Sequence, residues 1–178
     1  MKKNTTKTKI TQVGHPLLRL RAKRVRVFAS PLRKLITRMT EVMRTEGLVG
    51  IAAPQIGSST QVFITEIRKT KSRPKLSHDS LRIFINPSIV EMPKRQKPLY
   101  EGCGSVLCGA LFAAVPRASW VKLRYQDAEG VVHVERFEGL LAHIIQHEVD
   151  HLHGTLFLDR VVDTETYITR EQFRHQTQ

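Results

Sequence analysis

His147-Glu148-Val149-Asp150-His151 places two imidazoles four residues apart, with a carboxylate directly after the first. On a helix that spacing aims both rings at one point. Two neutral imidazoles converging there are good ligands for a transition metal, and Glu148 is placed to handle the protons of a water that the metal activates. The chemistry indicated is hydrolysis. The motif itself does not supply a third ligand.

The element that must carry these residues is legible from its surroundings. After Glu138-Gly139 the apolar segment Leu140 to Leu152 opens, with Gly154 as its stop, so one helix is expected to hold the whole motif. At 100° per residue His143, His147 and His151 share one stripe, and Leu141, Ile145, Val149 and Leu152 lie opposite. The back of the helix should be core and its front a site. Upstream, Trp120 to Gln126 and Val131 to Phe137 alternate around Asp127-Ala128-Glu129-Gly130, an antiparallel hairpin. Gln61 to Ile67 and Leu81 to Ile85 read as strands joined by a charged loop, with Asn86-Pro87 breaking the second. Ser30 and Pro31 open a helix over about 31 to 45, whose Leu32, Leu35, Ile36, Met39, Val42 and Met43 recur at helical spacing.

Between these elements lie two small-residue stretches. Gly50-Ile51-Ala52-Ala53-Pro54-Gln55 lets a backbone approach something closely, either a ligand paired with the main chain or a neighbouring element of the core. Glu101-Gly102-Cys103-Gly104-Ser105 brackets a cysteine with glycines, either a buried inert thiol or, with a metal at hand, a ligand.

The whole chain has 178 residues, 40% of them hydrophobic, enough for one domain with a core and a pocket. Cys103 and Cys108 are its two cysteines, which is no disulfide framework and suits a reducing compartment. No apolar run approaches a membrane span, and Met1 to Lys7 lacks the apolar segment of a secretory signal, so an unexported protein is expected. The net charge of +13 is local: residues 1 to 44 hold thirteen Lys and Arg against the single acid Glu41. Such a segment either faces a polyanion or is a solvated face. Residues 1–9 read as a basic flexible tail and 163–178 as a polar C-terminal tail.

Three sources compete for the third ligand. One class of zinc proteases carries a further histidine six residues after the second, where this chain has Phe157; that class is excluded. A gluzincin-like peptidase would need Glu165 or Glu171, both in the polar tail. Cys103 would complete a Cys/His/His set with a fourth position open for water.

Taken together, Gly50-Ile51-Ala52-Ala53-Pro54-Gln55, Glu101-Gly102-Cys103-Gly104-Ser105 and Gln146-His147-Glu148-Val149-Asp150-His151 resemble the three motifs of the peptide deformylases, in the same order. The resemblance extends through Ile85-Asn86-Pro87, Val115-Pro116-Arg117 and Gly154 to Arg160, so residues 10–162 are expected to form a single catalytic domain. It implies removal of the formyl group from the initiator methionine of nascent polypeptides. It also implies one divalent ion, Fe(II) first and Ni, Co or Zn as substitutes, held by Cys103, His147 and His151. Glu148 would be general base and acid, and the Gln55 side chain and Gly104 N–H the oxyanion donors. Val49, Gly50 and Gly102 would hold the peptide extended, while Leu140, His143 and Ile144 would line the methionine pocket. His143 is expected on the pocket rim and not as a fourth ligand, which would close the site.

Some positions depart from the family pattern. Leu48 stands where Gly is usual and Gly104 where Leu is usual, the segment from Cys103 to Pro116 is about two residues longer, and it lacks the substrate-binding Arg that bacterial members often carry there. The expected fold is α+β, antiparallel sheets around the central helix that carries the histidine motif. The expected location is the bacterial cytoplasm or, alternatively, an organelle, and the basic segment 1–44 is expected to dock on ribosomes. The alternatives are a divergent family member without deformylase activity and a zinc peptidase.

Overall fold

The computed structural model describes residues 10–69 and 78–177. The expected tail 1–9 and most of the charged loop after Ile67 lie outside the described residues. Among the described residues there are three α-helices, α1 (Ser30–Thr45), α2 (Gly139–Leu152) and α3 (Arg170–Thr177). The strands are β1 (Gly50–Ala52), β2 (Val62–Ile67), β3 (Asp79–Glu91), β4 (Gln96–Gly102), β5 (Leu111–Ala118), β6 (Trp120–Gln126), β7 (Val132–Glu138) and β8 (Ile168–Thr169). They form two antiparallel sheets, ordered β1-β2-β3-β6-β7 and β4-β5-β8. The fold is α+β, and α2 packs on β1, β2, β6 and β7 of the larger sheet and on β5 of the smaller.

The apolar runs in β2 and β3 follow from burial on both faces. Phe63 and Phe84 join Ala142, Ile145, Val149 and Leu152 of α2 in one core cluster. Val62, Ile64 and Ile85 join Leu32, Ile36, Met39, Val42 and Met43 of α1 in a second. The α1 pattern is as read, but Ala29, not Ser30, occupies the capping position, and no side chain caps that end. At the far end of α2, Gly154 is needed. Its φ is +76°, and a Cβ there would meet the Arg19 carbonyl oxygen at 2.5 Å.

Two expectations are corrected. Asn86-Pro87 does not break β3, which runs through it to Glu91 with a register shift between Ile85 and Ser88. Asn86 sits at φ 51° and replaces lost ladder bonds with its side chain: Oδ1 accepts from Val25 N at 2.8 Å, and Nδ2 donates to Val25 O at 2.9 Å and Gln126 Oε1 at 2.7 Å. The polar segment 163–177 is not a loose tail. Its β8 pairs with β5 at Leu111–Thr169 and Phe112–Ile168, and the Phe173 ring of α3 stacks on Phe112 at 4.6 Å between centroids. This strand pair, the Phe112–Phe173 stack and the bonds of Arg170 to the Cys108 and Gly109 carbonyls dock a segment that is mostly polar.

Candidate active site

α2 presents His147, Glu148 and His151 toward the junction of the two sheets. The His147 and His151 rings lie 4.9 Å apart, nearly perpendicular. Cys103, just past the end of β4, meets them there: its Sγ is 3.2 Å from His151 Nε2, and one ligand atom from each of Cys103, His147 and His151 lies within 4.8 Å of the others. Glu165 and Glu171, the alternative third ligands, are exposed and outside this group.

Gln55 follows β1 in the short helical turn Ala53–Ile56 and is almost fully buried. Its Oε1 accepts from Ala52 N at 2.8 Å, which orients its Nε2 to donate to Ser105 Oγ at 3.2 Å and Cys103 Sγ at 3.5 Å. Ser105 N also donates to the sulfur, at 3.4 Å. Gly104 lines the same cavity, its carbonyl accepting from Gln12 Nε2 at 2.9 Å. An ideal Cβ on Gly104 would lie 3.1 Å from Ile10 Cδ1 and 3.4 Å from Leu48 Cδ1. A side chain at 104 would therefore press on Ile10 and touch Leu48, so residues 48 and 104 are neighbours across the cleft.

Burial tends to raise the Cys103 thiol, but the facing His151 and His147 rings outweigh it and hold the thiol well below its ordinary value. Burial tends to lower His147, but Glu101 and Cys103 hold it well above the usual range. Burial pushes Glu148 up to about 7, against the pull of the two imidazoles. Among the described residues its Oε2 is buried without a hydrogen-bond partner, as is His151 Nδ1. The other oxygen, Oε1, faces β1, where a Cβ on Gly50 would meet it at 2.6 Å.

A layer behind the cluster was not assigned a role from sequence. Glu101 takes His143 Nε2 at 2.5 Å, His147 Nδ1 at 3.2 Å and a two-pronged contact from Arg117 at 2.7 and 3.1 Å. Burial works to raise this carboxyl, yet His147, His143 and Arg117 hold it far below the usual carboxylate range. Arg117 also donates to Asp150 at 2.8 Å, and Arg160 closes on Asp150 at 2.7 Å. Gln146 ties α2 to β5 through both the N–H and the carbonyl of Ala118. Asp150 and Gln146 sit inside the histidine motif and Glu101 beside Cys103; that adjacency was the available signal. His143 is engaged with Glu101 and is not in the ligand group.

The cluster opens into a cleft of ≈ 550 Å³ lined by Val49, Gly50, Gly102, Leu140, His143 and Ile144, among others. β1 and β4 are the outermost strands of their sheets, and residues of both line it. α3 contributes Arg170, Phe173 and Arg174 to the same lining, residues outside the expected catalytic domain. The longer segment after Cys103 forms a tight turn at Leu107–Gly109, with Leu107 and Cys108 at φ 47° and 53°.

A thiol and two imidazoles close enough to share one ion, with orphaned buried atoms beside them, form a donor set that suits a borderline-soft divalent metal. Residues 7–167 match the family model for polypeptide deformylase. A peptide deformylase of Dictyoglomus thermophilum is 37% identical over 163 residues, 92% of this chain and 97% of that protein. One from Thermotoga maritima is 34% identical over 164 residues, 92% of this chain and 93% of its own length. Among solved structures, the Met-Ala-Ser-bound class I type b peptide deformylase of Acinetobacter baumannii superposes with TM-score 0.80 at 34% identity, covering 85% of this chain and 96% of that one. The actinonin complex from Synechococcus elongatus gives 0.79 at 31%, covering 89% and 81%. With the three motifs meeting in one cleft and these relatives matching nearly end to end, the chain belongs to the polypeptide deformylase family.

Proposed function

We propose that the chain hydrolyses the formyl amide of N-formylmethionyl nascent polypeptides, releasing formate. The observation that carries this is the Cys103, His147 and His151 group beside the buried carboxyl of Glu148, at the base of a cleft flanked by two sheet edges. The Acinetobacter relative was solved with Met-Ala-Ser, a peptide of the kind left when formyl is removed. Cys103, His147 and His151 would hold one divalent ion, Fe(II) by preference with Ni, Co or Zn as substitutes. When bound, the ion polarises the formyl carbonyl and acidifies a water.

The protein's own groups do the rest. Gln55 Nε2 and Gly104 N–H donate to the carbonyl oxygen as it gains charge. Glu148 takes the proton of the attacking water and delivers it to the methionine nitrogen as the formyl C–N bond breaks. In the metal-free chain burial raises this carboxyl to about 7, and a bound dication would pull it back toward the ionised form that accepts the water's proton. Val49, Gly50 and Gly102 hold the peptide backbone extended between β1 and β4, a mode in which an added strand pairs with a sheet edge. Leu140, His143 and Ile144 receive the methionine side chain.

The direct test is formate release from a formyl-Met-Ala peptide after anaerobic reconstitution with Fe(II) or Ni(II). Turnover supports the proposal; a metal-loaded chain that releases none sinks it in favour of a divergent, inactive member. A gluzincin-like peptidase would keep its metal in Cys103→Ala, whereas loss of metal is expected here.

No helix among the described residues is long and apolar enough to cross a membrane. The working location proposed is the cytoplasm, with the basic segment docked on ribosomes. Arg19, Arg21, Lys23, Arg24, Arg26 and Arg33 are all exposed. Co-sedimentation that weakens steeply with salt is expected, and salt-insensitive or absent co-sedimentation counts against it.

A further inference from the structure

The family match ends at residue 167, yet the cleft does not. We propose that β8 and α3 form an outer wall of the substrate cleft, and that Phe173 there selects a large apolar side chain on one of the two residues following the formylmethionine. This rests on the deformylase reading and extends it to sequence preference.

The wall is built, not merely adjacent. Its root is Arg170, whose N–H donates to Ala110 O at 2.8 Å and whose guanidinium donates to Gly109 O and Cys108 O, each at 2.7 Å. That clamp sits beside the β8–β5 pairing, so the first turn of α3 cannot swing without breaking both. Three residues on, the half-buried Phe173 ring lies nearly parallel to Phe112 at 4.6 Å, with the Tyr100 ring 6.0 Å away. Phe112 in turn lies on Gly102: a Cβ there would meet its ring atoms at 2.8 Å. The aromatic group is therefore keyed to the same strand end that leads into Cys103. Tyr100, Phe112 and Phe173 line one continuous cleft with His147 and Glu148.

An extended peptide advances about 3.3 Å per residue with side chains on alternate faces. With the methionine side chain beside Leu140 and Ile144, residues two and three of the peptide run outward along the walls. The aromatic group offers them a stacking surface.

The test compares kcat/KM for formyl-Met-Ala-Ala, formyl-Met-Phe-Ala and formyl-Met-Ala-Phe on the full Ni-loaded chain, its Phe173→Ala and its Phe173→Leu variants. The expected result is a preference of about fivefold or more for one Phe peptide, expressed in KM, on the scale of one aromatic contact. Phe173→Ala should abolish that preference and Phe173→Leu retain most of it. Equal use of the three peptides by the unmodified chain, or an equal loss on all three in Phe173→Ala, overturns the proposal. Calorimetric binding of the unformylated Met-Phe-Ala, Met-Ala-Phe and Met-Ala-Ala to the same proteins separates the two readings. If no peptide yields formate, the deformylase reading fails, and a binding preference lost in Phe173→Ala still supports the wall while equal binding overturns it.

Discussion

Glu148 sits in a gap that leaves no room for a larger residue at Gly50 and, among the described residues, no hydrogen-bond partner for Oε2, so its carboxyl is held by packing more than by hydrogen bonds. Glu148→Gln keeps the shape and removes the proposed base. Formate release should fall about 10²- to 10⁴-fold, while metal content measured by atomic absorption stays as in the parent. Leu48 and Gly104 make a second point at this scale. Gly104 has no positive φ, so a leucine there is opposed by Ile10 and Leu48, not by its backbone. Gly104→Leu alone should destabilise by about 1–3 kcal/mol through overpacking, and Leu48→Gly alone through lost packing. In the double variant the leucine at 104 enters the space Leu48 vacates. A double-mutant cycle in urea should show roughly 1 kcal/mol or more of favourable coupling, and additive effects would show that the two side chains do not share that space.

At the scale of elements, α2 is fixed to the small sheet by charge as well as by apolar packing. Arg117 bridges Glu101 at the end of β4 to Asp150 on α2, and all three are buried. Arg117→Met would remove the cation the two carboxylates share, leaving Asp150 to Arg160 and Glu101 to His143 and His147. Because both carboxylates keep other partners, a loss below the roughly 3–5 kcal/mol of an uncompensated buried charge is expected, read as a lower urea midpoint, together with weaker metal retention because Glu101 also bonds His147. This network shows which parts were legible in advance. The histidine stripe, the α1 face and the β6–β7 hairpin are local periodicities, visible within a dozen residues. The Glu101–Arg117–Asp150 group joins residues far apart in the chain, and no local pattern encodes that pairing. Cys103 was expected as the third ligand only through elimination and resemblance, since a glycine-flanked cysteine also describes an inert thiol. Asn86 and the 163–177 segment were misread for a related reason: a side chain supplied the strand's missing bonds, and two aromatic rings anchored a polar sequence.

Across the whole molecule, the acid groups divide by the sign of their linkage to stability. Glu66, held down first by its bond to Arg44, and Asp159, held down against burial by Arg19, have lowered pKa values. Their contributions are present above the unfolded carboxylate range and are lost as pH falls through the folded values. Glu148 runs the other way. Raised from 4.5 to about 7, it binds its proton more tightly when folded, so the metal-free chain loses stability as pH rises through that window. The shift corresponds to roughly 3 kcal/mol. His147, also raised, loses stability in the same direction and the lowered Cys103 opposes it, so urea unfolding of the metal-free protein at pH 5 and pH 8 should show a pH dependence that Glu148→Gln shifts toward greater stability at pH 8; an identical slope in both proteins would place the proton elsewhere.

The turn at Leu107–Gly109 has a consequence for motion. Two consecutive non-glycine residues in the left-handed region cost on the order of 1–3 kcal/mol each. They are held by Gln12, whose Oε1 accepts from Cys108 N at 3.0 Å, and by Arg170 on the adjoining carbonyls. Early, middle and late parts of the chain thus converge on one strained turn. Release of either tether lets the turn relax and weakens the other, so the three parts of the chain should open as a single unit. In hydrogen–deuterium exchange the amides of Val13, Cys108 and Arg170 should lose protection together, and Arg170→Ala should accelerate all three while leaving the β2–β3 amides slow.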